Sequence, residues 1–404
     1  MINVKNVAKS LNEIDWDFSG FKPNGKGPGI HGIHWYPAPF PPAVAGTLID
    51  ILGADYRSFL DPFCGSGVAP LEAWYRGKRA FGIDNNRFAI KIGRVKNSIV
   101  KRGSAEIGIQ LAKKYEEYRQ KTVRYWKTLP SELICERSNM DTDCNRWFIS
   151  SVLVEIAIVK AWLSEDDGLT YRWKHVLELI LSSLLHGRLS IARSYHYTYI
   201  VDNSRVKIEA RDDLDVESLF KDRIQTTFTK AQMTRENLNR IGFGIRDTPS
   251  PRFIKGRAQD LTKLINQKVD LVVTSPPYFG MNDYVRSQHL SWLVFQWKGY
   301  DEDIKAESGT RRNRNSKKYL DSYFNDMQQA FASIHSVLRE DGVLAVVLGR
   351  SETRLAKEND TIGVLKGMVE NIGFTNCWSG KRRVQFRKIN NTPYRSEVIW
   401  VYKR

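Results

Sequence analysis

The chain has little cysteine, no long apolar run and fewer acidic than basic side chains. Its four cysteines, Cys64, Cys135, Cys144 and Cys377, form no CxxC pair and have no histidine at metal-ligand spacing. That argues against structural zinc and against a disulfide framework, so no metal is expected. No stretch approaches membrane-spanning length. Residues 1–20 carry Asp15 and Asp17 and lack a continuous apolar core, so no signal peptide is expected, and a soluble cytoplasmic protein is. No internal repeat is visible, and no Gly-Lys-Ser/Thr follows the glycine-rich turn at 61–67, which excludes a phosphate loop there.

What is present is positive charge. Lysine and arginine number 62 against 45 aspartates and glutamates, a formal net charge of +17. Such a chain attracts polyanions and speeds their encounter. Hydrophobic residues make up 42%, enough for an ordinary core, and 404 residues allow two domains or one with a large insertion.

Four segments are expected. Residues 1–30 end in the Gly/Pro stretch Lys22 to Gly29 and read as an arm. Residues 31–100 contain a short helix over Ala43 to Leu52 closed by Gly53, and a strand at Phe59-Leu60. A helix from Val68 to Arg76 and a second strand, Arg79 to Asp84, complete that part. Residues 101–250 show helical spacing at Trp147, Phe148, Val152, Leu153, Ile156 and Val159, and again from Val176 to Leu185. They predict a largely helical insertion with its own core, interrupted by strand-like alternation at Tyr195 to Val201. Residues 251–404 return to an α/β pattern, with a strand from Val269 to Thr274, a helix over Tyr319 to Leu338 and a strand over Gly342 to Leu348. Segments 383–387 and 398–402 look like a terminal hairpin.

Two short segments carry chemistry. In Asp61-Pro-Phe63-Cys-Gly65-Ser-Gly67 the glycines let the backbone approach a ligand, and the acid can hold a cation or a hydroxyl. Asp84 ends the next strand, where a carboxylate commonly accepts ribose hydroxyls. Strand, glycine turn, helix, strand and acid begin a Rossmann-like βαβ unit that suits a nucleoside-bearing cofactor. Either segment alone could be an ordinary turn or a helix cap; their joint spacing favours the site.

The second segment is Ser275-Pro276-Pro277-Tyr278, directly after an apolar β-branched strand. Two prolines in succession stiffen the turn and aim Ser275 Oγ and the Pro276 carbonyl at one point. The amino nitrogen of a nucleobase is a poor nucleophile because its lone pair is conjugated with the ring. Accepting its hydrogens at that point favours pyramidal nitrogen, and Tyr278 could stack on a base flipped out of a duplex. A rigid loop without chemistry is the alternative reading.

These segments resemble those of the amino-group DNA methyltransferases, over some 200 residues in 31–100 and 255–402. The resemblance implies a Rossmann-like class I methyltransferase α/β sheet with a C-terminal β-hairpin and a largely helical insertion. It implies S-adenosyl-L-methionine as cofactor and transfer of a methyl group to an exocyclic amino group in double-stranded DNA. Asp61 to Gly67 matches the cofactor loop, Asp84 the ribose-binding acid, and Ser275 to Tyr278 the catalytic tetrapeptide. Tyr36-Pro37-Ala-Pro-Phe40-Pro-Pro42 looks like the segment that packs over the methionine end of the cofactor, and Asp260 matches an acid near its adenine ring. Ser-Pro-Pro-Tyr is more typical of cytosine-N4 enzymes and Asp-Pro-Pro-Tyr of adenine-N6 enzymes. The cofactor half precedes the catalytic half, so residues 101–250 occupy the place of a target-recognition region. A cognate restriction endonuclease and association with the nucleoid are further implications.

Basic clusters offer DNA contacts: Arg311, Arg312, Arg314, Lys317 and Lys318, then Lys381, Arg382 and Arg383, then Arg387 and Lys388. Phosphate contacts would position a duplex, although charge runs are often only solvated faces. Tyr284, Arg286, His289 and Trp292 could line a base pocket or belong to the core. Alternatives to cytosine N4 are adenine N6, guanine N2 in RNA, and a catalytically silent DNA-binding subunit.

Overall fold

Seven strands form the central sheet of the computed structural model, which describes residues 4–18, 29–190, 192–193, 207–208, 214–243, 248–384 and 395–404. In chain order they are β1 (Ser58–Asp61), β2 (Arg79–Asp84), β3 (Arg252–Lys255), β4 (Val269–Thr274), β5 (Leu338–Gly349), β6 (Thr375–Val384) and β7 (Arg395–Lys403). Their order across the sheet is β3-β2-β1-β4-β5-β7-β6. The first five run parallel, and β7 lies antiparallel between β5 and β6. This is the expected Rossmann-like α/β sheet, with β6 and β7 as the C-terminal hairpin.

The sheet alternates its side chains between two apolar layers, as the two-residue period of a strand requires. Leu271, Val273, Val343 and Ala345 face one layer, and Val272, Leu344 and Val346 face the other. Helices α1 (Pro42–Leu52), α2 (Val68–Tyr75) and α3 (Arg87–Arg102) cover the first. The insertion adds α4 (Ala105–Lys127), α5 (Ser150–Glu165), α6 (Tyr171–Leu184) and α7 (Val216–Arg240) on the same side. Helix α8 (Lys317–Val337) packs on the second face.

The insertion does not have the separate core expected from its periodicity. Its buried side chains join those of α1 to α3 and one sheet face in a single cluster. Phe228 of α7 is the pivot: fully buried, it lies so close to Gly103 and Gly108 that a Cβ at either would come within 3.2 and 2.8 Å of its side chain. Helical period alone reveals a buried face and is silent on which neighbour buries it. Residues 195–201, expected to be strand-like, lie outside the described residues, as do Arg387 and Lys388; the flanking pairs Ala192–Arg193 and Lys207–Ile208 form a short antiparallel ladder.

Strand order sets the position of the site. The chain moves outward from β1 through β2 to β3, then returns to place β4 on the other side of β1. Ligands of open α/β sheets bind beyond the carboxyl ends of strands at such a reversal. The carboxyl end of β1 leads into Pro62 and the glycine turn, and that of β4 leads into Ser275. Two segments far apart in sequence therefore end side by side.

Candidate active site

A cleft opens at this edge of the sheet. Phe63 and Gly65 from the glycine turn, Tyr36 and Phe40 from the preceding segment, Asp84 from β2, and Ser275 and Pro277 from the tetrapeptide all line it.

The glycine turn is built around Asp84. Its Oδ2 accepts from the Gly65 N–H at 2.8 Å and its Oδ1 from the Asn86 N–H at 2.8 Å. Asn86, not Asp84, caps α3, accepting from the N–H groups of Phe88 and Ala89. Burial pushes the Asp84 carboxyl up to about 6, against the pull of its two backbone donors. Gly65 has φ +47°, and a Cβ there would lie 3.0 Å from the Tyr36 ring. Only glycine lets the turn pass under that ring. Tyr36 stacks in turn on Tyr284, with centroids 5.9 Å apart and planes 24° from parallel.

Asp61 takes a different place from the one expected. It is almost wholly buried beneath the turn, where Oδ1 accepts from Thr274 Oγ1 at 2.6 Å and from the Phe63 N–H at 3.1 Å. It ties the ends of β1 and β4 together instead of facing the cleft, and burial raises it to about 7. Lys96 of α3 is also fully buried and donates to Ser66 O and Oγ at 3.1 and 3.2 Å, with burial lowering it to about 7.

Of the remaining cofactor candidates, Pro37, Gly67 and Asp260 do not line the cleft. Asp260 turns to Lys263, 3.0 Å away, and its neighbours Ala258 and Gln259 line the wall instead. Gly67, with φ +81°, is the residue that enters α2.

In the tetrapeptide, Ser275 faces the cleft and Pro276 is buried. The Pro277 carbonyl accepts from Tyr323 Oη at 3.0 Å, which pins the turn to α8. Tyr278 does not face the cleft. Its hydroxyl lies 3.1 Å from Ser275 Oγ and donates to Glu397 Oε1 at 3.1 Å, with the ring against Gly349 of β5. Of the aromatic residues that follow the tetrapeptide, Tyr284 lines the cleft, while Trp292 is buried in the core and His289 pairs with Tyr300 at 3.1 Å.

Glu307 also lines the cleft, and no local pattern announces it. It is raised to about 7 by burial, accepts from the Val285 N–H at 3.1 Å and pairs with Arg312 at 3.0 Å.

The basic clusters divide. Arg312 is committed to buried carboxylates, Glu307 and Asp283 (3.4 Å), and Arg382 is buried with Glu397 at 3.0 Å. Neither is presented to a polyanion, so both expectations of phosphate contact are corrected: the fold sets each against an acid outside its own basic run. Arg311 and Arg314 are half-buried, with Arg314 packed over Gly280. Lys317 is exposed and near Asp321 (3.3 Å), Lys318 is exposed, and the exposed Arg383 lies 3.5 Å from Asp17. Among the described residues no acid, histidine and cysteine cluster could hold a metal ion, and no helix is long and apolar enough to cross a membrane.

With this geometry in place, comparison with known proteins gives one informative similarity. The chain is 22% identical over 325 residues to the Type II methyltransferase M.MvaI of Kocuria varians. The likeness is to a methyltransferase. It takes in 77% of this chain and 65% of that protein, so the chain spans just under two thirds of its relative's length. Two solved structures of the rRNA methyltransferase aviRa from Streptomyces viridochromogenes align over 90% and 92% of this chain and 85% and 88% of theirs. Their TM-scores of 0.35 and 0.36 and identities of 11% and 12% are too low to support any inference. No protein-family model matches the chain.

Proposed function

We propose that this protein is an S-adenosylmethionine-dependent methyltransferase that acts on the exocyclic amino group of a base in double-stranded DNA, cytosine N4 ahead of adenine N6. The observation that carries the reading is the opening of the Asp84 turn and of Ser275 into one cleft. Similarity to a Type II methyltransferase supports the same reading and makes a cognate restriction endonuclease a reasonable partner. The serine at the head of the tetrapeptide is the ground for preferring cytosine.

The lining of the cleft fits the cofactor in its chemistry. Asp84 offers a carboxylate for ribose hydroxyls, the glycine turn gives close backbone access, and Tyr36, Phe40 and Phe63 supply apolar walls. When bound, the cofactor supplies an electrophilic methyl group on a sulfonium. The chain's own task is to receive the flipped base, with Tyr284 as the stacking surface and Ser275 Oγ as an acceptor for an amino hydrogen. Localising the nitrogen lone pair and holding it in line with the methyl carbon is the remaining contribution.

The test incubates purified protein with S-adenosylmethionine and either unmethylated DNA or bulk tRNA, followed by nucleoside mass spectrometry. N4-methylcytosine in DNA is the expected product. N6-methyladenine keeps the mechanism and corrects the base, whereas N2-methylguanine confined to tRNA overturns the substrate. Duplex binding should weaken steeply with added salt, because Lys318 and its neighbours would contact phosphates.

A further inference from the structure

Ser275, Tyr278, Glu397 and Arg382 run in series from the cleft to the C-terminal hairpin. The Ser275 and Tyr278 hydroxyls are 3.1 Å apart, Tyr278 Oη donates to Glu397 Oε1 at 3.1 Å, and Glu397 Oε2 lies 3.0 Å from Arg382 Nε. Glu397 and Arg382 are direct partners in the β6–β7 ladder. On its other side Glu397 pairs with Gly349 of β5, where any side chain would strike the Tyr278 ring. The polarity of the series follows from the donors. Because Tyr278 gives its hydrogen to a carboxylate, its oxygen receives the one from Ser275. Ser275 Oγ is then left with lone pairs toward the cleft.

We propose that Glu397 is the terminal proton acceptor of the methyl transfer, drawing a proton from the target amino group through Ser275 and Tyr278. The inference rests on the proposed function. Transfer forms a C–N bond and breaks a C–S bond whose electron pair stays on sulfur, leaving one proton too many on nitrogen. That proton passes to Ser275 Oγ, the serine hydroxyl proton to Tyr278 Oη, and the tyrosine proton to Glu397 Oε1. Serine and tyrosine finish as they began. Glu397 finishes as a neutral acid and returns its proton to water before the next turnover. Glu397 touches no substrate atom and acts through its two partners, so it is a positioning residue that also takes up charge.

The groups facing Glu397 are Arg382 from β6 and Tyr278 from the β4 loop, and Gly349 of β5 contributes no side chain. Burial raises the carboxyl above its ordinary range while Arg382 and Tyr278 hold it down. Raising the carboxyl makes its ionised form the stronger proton acceptor. The relay therefore works above the Glu397 pKa and fails as pH falls through it.

Two variants test this. Glu397→Gln keeps an oxygen for Tyr278 to donate to and removes the charge; Tyr278→Phe keeps the ring and breaks the relay. Single-turnover methylation is measured against pH with cofactor and DNA saturating, so that titration of Asp84 does not enter. Both variants should lose about 100-fold in rate, the ordinary scale of proton-transfer catalysis. Both should also lose the acid limb of the wild-type profile while binding cofactor as tightly as before. Infrared titration of the protein alone should show a carboxyl signal absent from Glu397→Gln, with its midpoint at that acid limb. A retained acid limb, a mismatched midpoint, or a rate loss matched by weaker cofactor binding overturns the relay. A wild-type protein that methylates no nucleic acid rejects the underlying function instead.

Discussion

At the scale of single residues, burial governs the charge state of the cleft and of the turn above Asp61. Asp61, Asp84 and Glu307 are raised to about 7, 6 and 7, each because desolvation exceeds the stabilisation its donors provide. For Asp61 this has a consequence for stability. The folded protein holds its proton over a range, from about pH 4 to 7, in which the unfolded chain has released it, so stability falls as pH rises through that range. Asp61→Asn keeps an acceptor for Thr274 and Phe63 but never ionises. Its melting temperature relative to wild type should therefore climb between about pH 4 and 7 in thermal unfolding. A constant difference over that interval would show that Asp61 does not titrate there. The same physics separates Arg312 and Arg382 from the solvent-exposed Lys318. An arginine's partner is chosen by the fold, so a sequence cluster of cations cannot say which ones are already neutralised.

At the scale of elements, the glycine turn is held by close packing as much as by hydrogen bonds. Phe253 of β3 fits against Gly67 in the turn, Gly82 of β2 and Gly93 of α3. A Cβ at these positions would come within 2.7, 3.0 and 2.7 Å of its ring. One aromatic side chain thus locks helix, two strands and turn. Gly67→Ala adds that clash to a left-handed φ of +81°, and should cost about 2–5 kcal/mol in urea unfolding. A loss below about 1 kcal/mol would mean that the turn relaxes around the new methyl. Gly67 was legible as part of the turn from its spacing, yet its requirement is for packing, since it does not line the cleft.

At the scale of the whole molecule, the helical insertion and the sheet domain share a core. Phe228→Ala should remove about 3–5 kcal/mol and lower the stability of both regions together. Tryptophan fluorescence and far-UV circular dichroism should report a single unfolding transition in wild type and variant alike. Two resolved transitions would show that α4 to α7 unfold apart from the sheet. A common core also bears on the insertion's part in reading DNA. Elements buried against α3 can present only their outer surface to a duplex.

The sequence by itself determined the local grammar. Arg79 to Asp84 alternates as a strand does, α1 ends at Gly53, and the apolar β-branched run before Ser275 is a strand that two prolines bring to an end. It also marked Asp84 and Ser275 as site candidates, each from the pattern of its own strand–turn unit, while the sheet order brings the two into one cleft. Tertiary contacts turned Asp61 inward, put Tyr284 and not Tyr278 in the cleft wall, and brought Glu307 to it. Those outcomes depend on contacts between segments separated by tens to hundreds of positions. Periodicity reports which face of an element is buried, and the sheet order β3-β2-β1-β4-β5-β7-β6 reports against what.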